Sequence, residues 1–305
     1  MSEHLHGTDR NNQQAVVKRL SWALIITFAI FLLELCGGFI SNSLSLKSDA
    51  AHLFGDVLAL GLSYIAARLA LLPPSSKRTF GYHRAEVLAA VFNGLTLFFL
   101  AGYIFYESYH RILNPQPIKS GIMFLVAIVG LIGNLYVVFK LHSFSKENLN
   151  IRAAYLHIIG DMLGSVGVVA GSLIIMTTKS YLADPIISVF IGLIIIYGAI
   201  GILKEGANIL LEGTPLSINY DELKSDIGKI EGVLSVHDLH VWTISSSNLI
   251  LTAHIKVSDQ STHQSGDILG AINEMVRKKY GIGHITIQTE CECCGKGIPC
   301  GCRMI

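Results

Sequence analysis

Charge is scarce in this sequence. Of 305 residues only 15% are Asp, Glu, Lys or Arg, against about a quarter in ordinary soluble domains. With 51% hydrophobic residues and a mean hydropathy of +0.52, that scarcity excludes an ordinary soluble globule and predicts a chain that crosses a membrane several times. Lys and Arg (23) nearly balance Asp and Glu (22), so neither a strongly basic surface nor an acidic tail is indicated, and no nucleic-acid partner is expected. The polar opening stretch MSEHLHGTDRNNQQAVVKRL lacks the small-residue site of a cleaved leader, so the first apolar run is expected to stay as a span. Cysteine is nearly missing from the body of the chain. Cys36 stands in an apolar run, and Cys291, Cys293, Cys294, Cys300 and Cys302 crowd the tail, a distribution that suits metal or redox chemistry better than a disulfide framework. The motif H-E-x-x-H is also absent, which removes the metal-plus-base signature of a membrane metalloenzyme. Neither an enzymatic activity nor a cofactor is expected.

Six apolar segments are long enough to cross a bilayer as helices, which takes about 20 residues: Leu20–Ile40, Leu46–Leu72, Ala85–Tyr109, Ile118–Leu141, Ala153–Thr177 and Leu182–Leu203. The first two are separated only by SNSLS, so they form a tight antiparallel hairpin. Lys18, Arg19, Lys77, Arg78, Arg84, Lys140, Lys146, Arg152 and Lys204 fall on one side of the membrane in this arrangement. The other side holds little beyond Lys47, Arg111, Lys119 and Lys179. The positive-inside rule then places both termini in the cytoplasm of a multi-pass protein of the cell membrane.

From about Thr214 the texture changes. SINYDELKSDIGKI has helical spacing, with Leu223, Ile227 and Ile230 on one face; VLSVHDLHVWTIS and NLILTAHIKV alternate as half-buried strands. A second amphipathic helix, SGDILGAINEMVRKKYG, ends at Gly281, and HITIQTE is a third strand. The order αββαβ predicts a small α+β domain with both helices on one face of a three-stranded sheet. The expected division is a tail over 1–19, a six-helix membrane domain over 20–212, a cytoplasmic domain over 213–290 and a Cys-rich end over 291–305.

Within the apolar runs a few polar residues demand a reason, because a charge at bilayer depth costs about 3 kcal/mol or more. His52 and Asp56 are four residues apart, so on a helix they share one face. His157 and Asp161 repeat the spacing in the fifth span. A single pair reads equally well as a packing hydrogen bond. Two pairs on two spans supply two imidazoles and two carboxylates, a zinc-like tetrahedral set. Gly160, Gly164, Gly167 and Gly171 give the fifth helix small-residue steps that permit close approach to a neighbour. Two aspartates balance either one divalent cation or two protonated imidazoles, and both states tolerate a low-dielectric interior. Metal requires neutral imidazole, so binding expels protons, which points to metal/proton exchange. Asp49 reads either as a helix N-cap with Ser48 or as a carboxylate on the proton or exit path. Glu34, Asn93 and Asn134 read as interhelical hydrogen-bond partners, with Glu34 the strongest candidate to line a pathway. Arg84 and Glu86 read as an interfacial ion pair.

The segments SLKSDAAHLFGD, FGYHRAEVLAAVFNG, HIIGDMLGSVGVV, ADPIISVFIGLIIIYGAIGILKEGANILLEGTP and VHDLHVWTIS together resemble the cation diffusion facilitator family, and most closely its zinc-transporting bacterial branch of the cobalt–zinc–cadmium resistance type. The resemblance runs from about Leu20 to Glu290. It implies a six-span homodimer with paired metallochaperone-like (ferredoxin-like) cytoplasmic domains, exporting Zn2+, and with it Co2+ or Cd2+, against protons by alternating access. It assigns His52, Asp56, His157 and Asp161 to the transport site. His237 and His254 match positions that bind regulatory zinc in family members; Glu290 lies alongside, and a further family ligand position is Gln288 here. Some members also carry a metal ligand in the loop after the second span, at the position occupied here by Tyr82. Among the tail cysteines, Cys293, Cys294, Cys300 and Cys302 form a soft set able to join such a site. A zinc-responsive membrane sensor without transport is the competing reading; it explains the histidine-rich soluble domain but leaves both intramembrane pairs idle.

Overall fold

The computed structural model describes residue 22 and residues 24–70, 72–142, 149–245 and 248–290; the side chains of residues 60, 63, 64, 67, 70, 141, 142, 149–157 (His157 included) and 160 lie outside the description. The chain divides into two compact units, Met1–Leu62 with Phe92–Ile202, and Ser63–Val91 with Leu203–Ile305.

Six long helices realise the expected spans: α1 (Leu24–Ser41), α2 (Leu44–Ala70), α3 (Arg84–Leu113), α4 (Ser120–His142), α5 (Leu149–Thr178) and α6 (Ala183–Leu210). Among the described residues, α1, α3, α4, α5 and α6 each carry a stretch long and apolar enough to cross a membrane. The first unit is knitted by Leu46, Leu97, Ala101, Met123, Val168 and Ile195, all buried.

The α1–α2 hairpin turns on Asn42, held in the left-handed region at φ 59°, a conformation that Asn tolerates better than most residues. Arg111, reaching over from α3, donates from Nη1 to the Asn42 carbonyl (2.6 Å) and from Nη2 to its side-chain oxygen (3.2 Å), while Nε is held by Glu107 (2.8 Å). The start of α2 is capped from a distance. Ser43 Oγ accepts from the Leu46 amide, and Asp184, at the head of α6, accepts from the amides of Leu44 and Ser45 and from the hydroxyls of Ser43 and Ser45 at 2.6–3.0 Å. Asp49 is therefore not the N-cap: α2 begins at Leu44, more than a turn earlier, and its first-turn donors are taken by Ser43 and Asp184. Because Asp184 is fully buried, Asp184→Ala orphans several donors at once and should cost about 3 kcal/mol. A lowered apparent unfolding temperature in detergent, with no such change for Lys179→Ala, checks this.

The soluble segment folds as α7 (Tyr220–Gly228), β1 (Val233–Ser245), β2 (Asn248–Val257), α8 (Thr262–Tyr280) and β3 (His284–Glu290). Asn219 caps α7, Ser261 and Gln264 form a capping box on α8, and Gly281 ends α8 at φ 68°. The sheet order is β1-β2-β3, with β2 antiparallel to β1 and parallel to β3. The parallel pair needs a crossover, which α8 supplies. Leu223, Ile227, Leu251, Ile255, Ile272 and Val276 form the core of this segment. Lys279 on α8 ties to Glu222 and Asp226 on α7. Lys279, with Tyr280 and Lys229, holds the Asp226 carboxyl below the ordinary range.

Candidate metal centres

The first centre is built by α2 and α5. His52 and Asp56 project from α2 one turn apart and meet Asp161 of α5; one ligand atom from each lies within 4.8 Å of the others. His52 Nε2 stands 3.3 Å from Asp161 Oδ1. Asp161 is 3% exposed and His52 23%, so the cluster is buried with its imidazole still partly accessible. His157 sits one helical turn before Asp161 on α5, and its side chain lies outside the described residues. The structure thus brings together three of the four expected residues.

Close approach of α5 depends on its glycines. A Cβ at Gly164 would stand 2.7 Å from Asp49 Oδ1, and one at Gly171 would collide with Ile187 of α6. Asp49 is buried beside the cluster without joining it. Its Oδ2 accepts from Ser165 Oγ at 3.2 Å, and Ser165 accepts in turn from Asn134 Nδ2 at 3.4 Å. Glu34 on α1 is fully buried, and neither carboxylate oxygen has a hydrogen-bond partner among the described residues. Its Oε1 packs against Gly130 of α4, where an added methyl group would press on it, and it lies near enough to Asp49 and Asp161 to feel their charge.

The second centre lies on the sheet. His237 of β1 and His254 of β2 are direct cross-strand partners. On β3 the residue level with His254 is Gln288, and Glu290 pairs with Lys256 at the end of the strand. Side chains of paired residues share one face, which is why both rings meet. Glu290 bridges them, with Oε2 3.1 Å from His237 Nε2 and Oε1 3.0 Å from His254 Nδ1. The three ligand atoms lie within 4.8 Å of one another. Two imidazoles and one carboxylate with an open fourth position suit zinc. Gln288 donates to Glu290 Oε1 at 3.1 Å, so it orients the carboxylate. Nothing in the sequence singles out Asp238. At a register shift in β1, and with φ 49°, it reaches His240 (3.0 Å) and His254 (3.6 Å). The hydrogen bond from His240 keeps its carboxyl below the usual range. His263 and His284 lie elsewhere, on α8 and at the start of β3, and join neither cluster. Cys293, Cys294, Cys300 and Cys302 fall outside the described residues.

At the start of α3, Arg84 pairs with Glu212 at 2.9 Å, a partner that sequence proximity does not suggest.

Comparison with known proteins agrees with these elements in extent. Residues 20–211 match the model of the cation efflux transmembrane domain, and residues 215–292 match that of the cation efflux protein cytoplasmic domain. The chain is 40% identical to the cation efflux system protein CzcD of Alcaligenes sp. (strain CT14), over 95% of its own length and 90% of the relative's. It is 39% identical to the zinc transporter ZitB of Pectobacterium atrosepticum, covering 91% and 86% of the two chains. It is also 39% identical to the cadmium, cobalt and zinc/H(+)-K(+) antiporter of Bacillus subtilis, covering 92% and 91%.

Proposed function

The chain belongs to the cation efflux family, the cation diffusion facilitators, and from that premise we propose that it exports Zn2+ from the cytoplasm in exchange for protons. It is a multi-pass membrane protein and a metal efflux transporter. The observation that carries the mechanism is the meeting of His52, Asp56 and Asp161 on two helices, with His157 one turn from Asp161. In the metal-loaded state Asp56 and Asp161 balance the two positive charges of the ion, and His52 and His157 bind as neutral imidazoles. After release, protons on the two imidazoles balance the same two carboxylates, so neither state leaves net charge in the interior. Loading from one side therefore expels protons, and protons arriving from the other side expel metal. Glu34 and Asp49 are the pathway carboxylates of this reading, supported by their burial beside the centre. Co2+ and Cd2+ share the ligand preference and are further cargo.

The remaining assignments follow the same premise. Residues 20–212 form the membrane domain and 213–290 the cytoplasmic domain. Both termini are cytoplasmic, the membrane is the cell membrane, and the working unit is a homodimer. His237, His254 and Glu290, joined by tail thiolates from Cys293, Cys294, Cys300 or Cys302, bind regulatory zinc.

Zinc flux through purified protein in sealed liposomes tests the exchange. With zinc equal on both sides, an imposed pH gradient should drive net zinc movement and build a zinc gradient, and a protonophore should stop it. Zinc movement that follows only its own gradient, whatever the pH difference, would overturn the exchange.

A further inference from the structure

The segment KRTFGYHRAE between α2 and α3 takes no part in either metal centre. It is nonetheless ordered by its own contacts. Ser75 and Arg78 exchange backbone hydrogen bonds at 3.1 and 3.0 Å, and Gly81 turns the chain at φ 67°. This hairpin walls a cavity of about 630 Å3 whose lining includes Lys77, Arg78, Phe80, Tyr82, Arg84 and Trp242. Among the described residues Glu212 is the one carboxylate in the lining, and it is occupied by Arg84. Lys77 and Arg78 have no carboxylate partner among the described residues. Arg78 instead lies over the Tyr82 ring at 4.3 Å, an arrangement that steadies a guanidinium while leaving its donors available. The cavity therefore carries a surplus of two positive charges, Lys77 and Arg78, beside aromatic walls.

Its setting narrows the ligand. The hairpin connects the end of α2 to the start of α3, and Glu212 follows the end of α6, so the lining gathers where three spans finish. Around it, large apolar side chains stand exposed. Phe80 is 53% exposed and Leu88, on the first turns of α3, 57%, and both line the cavity. Cations that meet apolar surface and aromatic rings at a span's cytoplasmic end match a lipid whose head is anionic and whose chains run along the helix. A free anion would have no use for the apolar rim.

We propose that this cavity binds the phosphodiester headgroup of an anionic membrane lipid, with Lys77 and Arg78 holding the phosphate and Trp242 closing over the headgroup. Lys77 acts on the phosphate as a point charge and Arg78 as a fork of donors. The proposal rests on the cytoplasmic placement of this end of the spans, not on the identity of the transported ion.

Fluorescence of Trp242 tests the proposal. The chain has two tryptophans, so Trp22→Phe in the full-length protein leaves Trp242 as the sole reporter. Short-chain phosphatidylglycerol, short-chain phosphatidylcholine and inorganic phosphate are titrated separately in detergent. A saturable change with phosphatidylglycerol is expected, at a midpoint roughly tenfold or more below that of either other probe. The double variant Lys77→Ala/Arg78→Ala, which alters only exposed side chains, should raise that midpoint roughly tenfold or more. Native mass spectrometry supplies a count that does not depend on the fluorophore: the double variant should retain less phosphatidylglycerol per chain than the natural protein. Equal midpoints for the two lipids, equal retention by the double variant, or saturation by inorganic phosphate at the same concentration would each overturn the proposal. None of these readings depends on zinc flux, so failure here leaves the transport reading intact.

Discussion

Asp161→Asn is expected to lower zinc flux roughly a hundredfold or more while the helices stay folded. Asp161 is 3% exposed and faces His52 across the α2–α5 contact, so its charge acts on whatever the centre holds. Asparagine keeps the volume and removes one negative charge. The loaded centre would then carry a net positive charge in a low-dielectric interior. Breaking a buried charge pair by removing one partner costs about 3–5 kcal/mol, and roughly 1.4 kcal/mol corresponds to each factor of ten. The flux assay in liposomes reads the loss directly. A thermal unfolding curve in detergent, close to that of the natural protein, separates loss of binding from loss of fold. Flux nearly equal to that of the natural protein would remove Asp161 from the transport site. His52→Ala makes the same point from the other helix, because it leaves the charge and removes a nitrogen ligand.

Much of this centre was legible because its logic is local. Four-residue spacing puts His52 with Asp56, and His157 with Asp161, on one helix face each, and the unusual cost of such residues in an apolar run draws attention to both. The αββαβ order was legible for the same reason, since capping residues and alternation act within a few positions. What stayed hidden joins residues far apart in the chain. Asp184 caps α2 across 140 residues, and nothing near Asp184 or Leu44 announces the other. Arg84 meets Glu212 across 128 residues, whereas proximity in the chain offers only Glu86. Asp49 shows the opposite failure: a carboxylate near a helix start resembles a cap, but the start lies more than a turn upstream. Asp238 needed the register shift in β1, which alternation alone does not reveal.

His254→Ala should weaken zinc binding by the cytoplasmic centre roughly a hundredfold or more and leave flux at saturating zinc nearly unchanged. His254 sits on the central strand β2, paired with His237 and bridged to it by Glu290. These contacts place all three ligands before metal arrives, so little ordering remains to oppose binding. Removing one of the three ligands that the sheet supplies breaks a closed tetrahedral shell whether or not a tail thiolate fills its fourth position. Equilibrium dialysis of the full chain, in a His52→Ala/Asp161→Asn background, excludes the transport centre from the count. Loss of one tight zinc equivalent on His254→Ala is the expected result, and an unchanged count would take His254 out of the site. Replacing Cys293, Cys294, Cys300 and Cys302 together by Ser in the same background asks whether tail thiolates complete the shell. A regulatory role adds a kinetic signature that a merely structural one lacks. With the transport centre intact, His254→Ala should shift the zinc concentration that half-activates transport while sparing the maximal rate, as required by the proposal that the cytoplasmic centre senses the ion and His52, Asp56, His157 and Asp161 carry it.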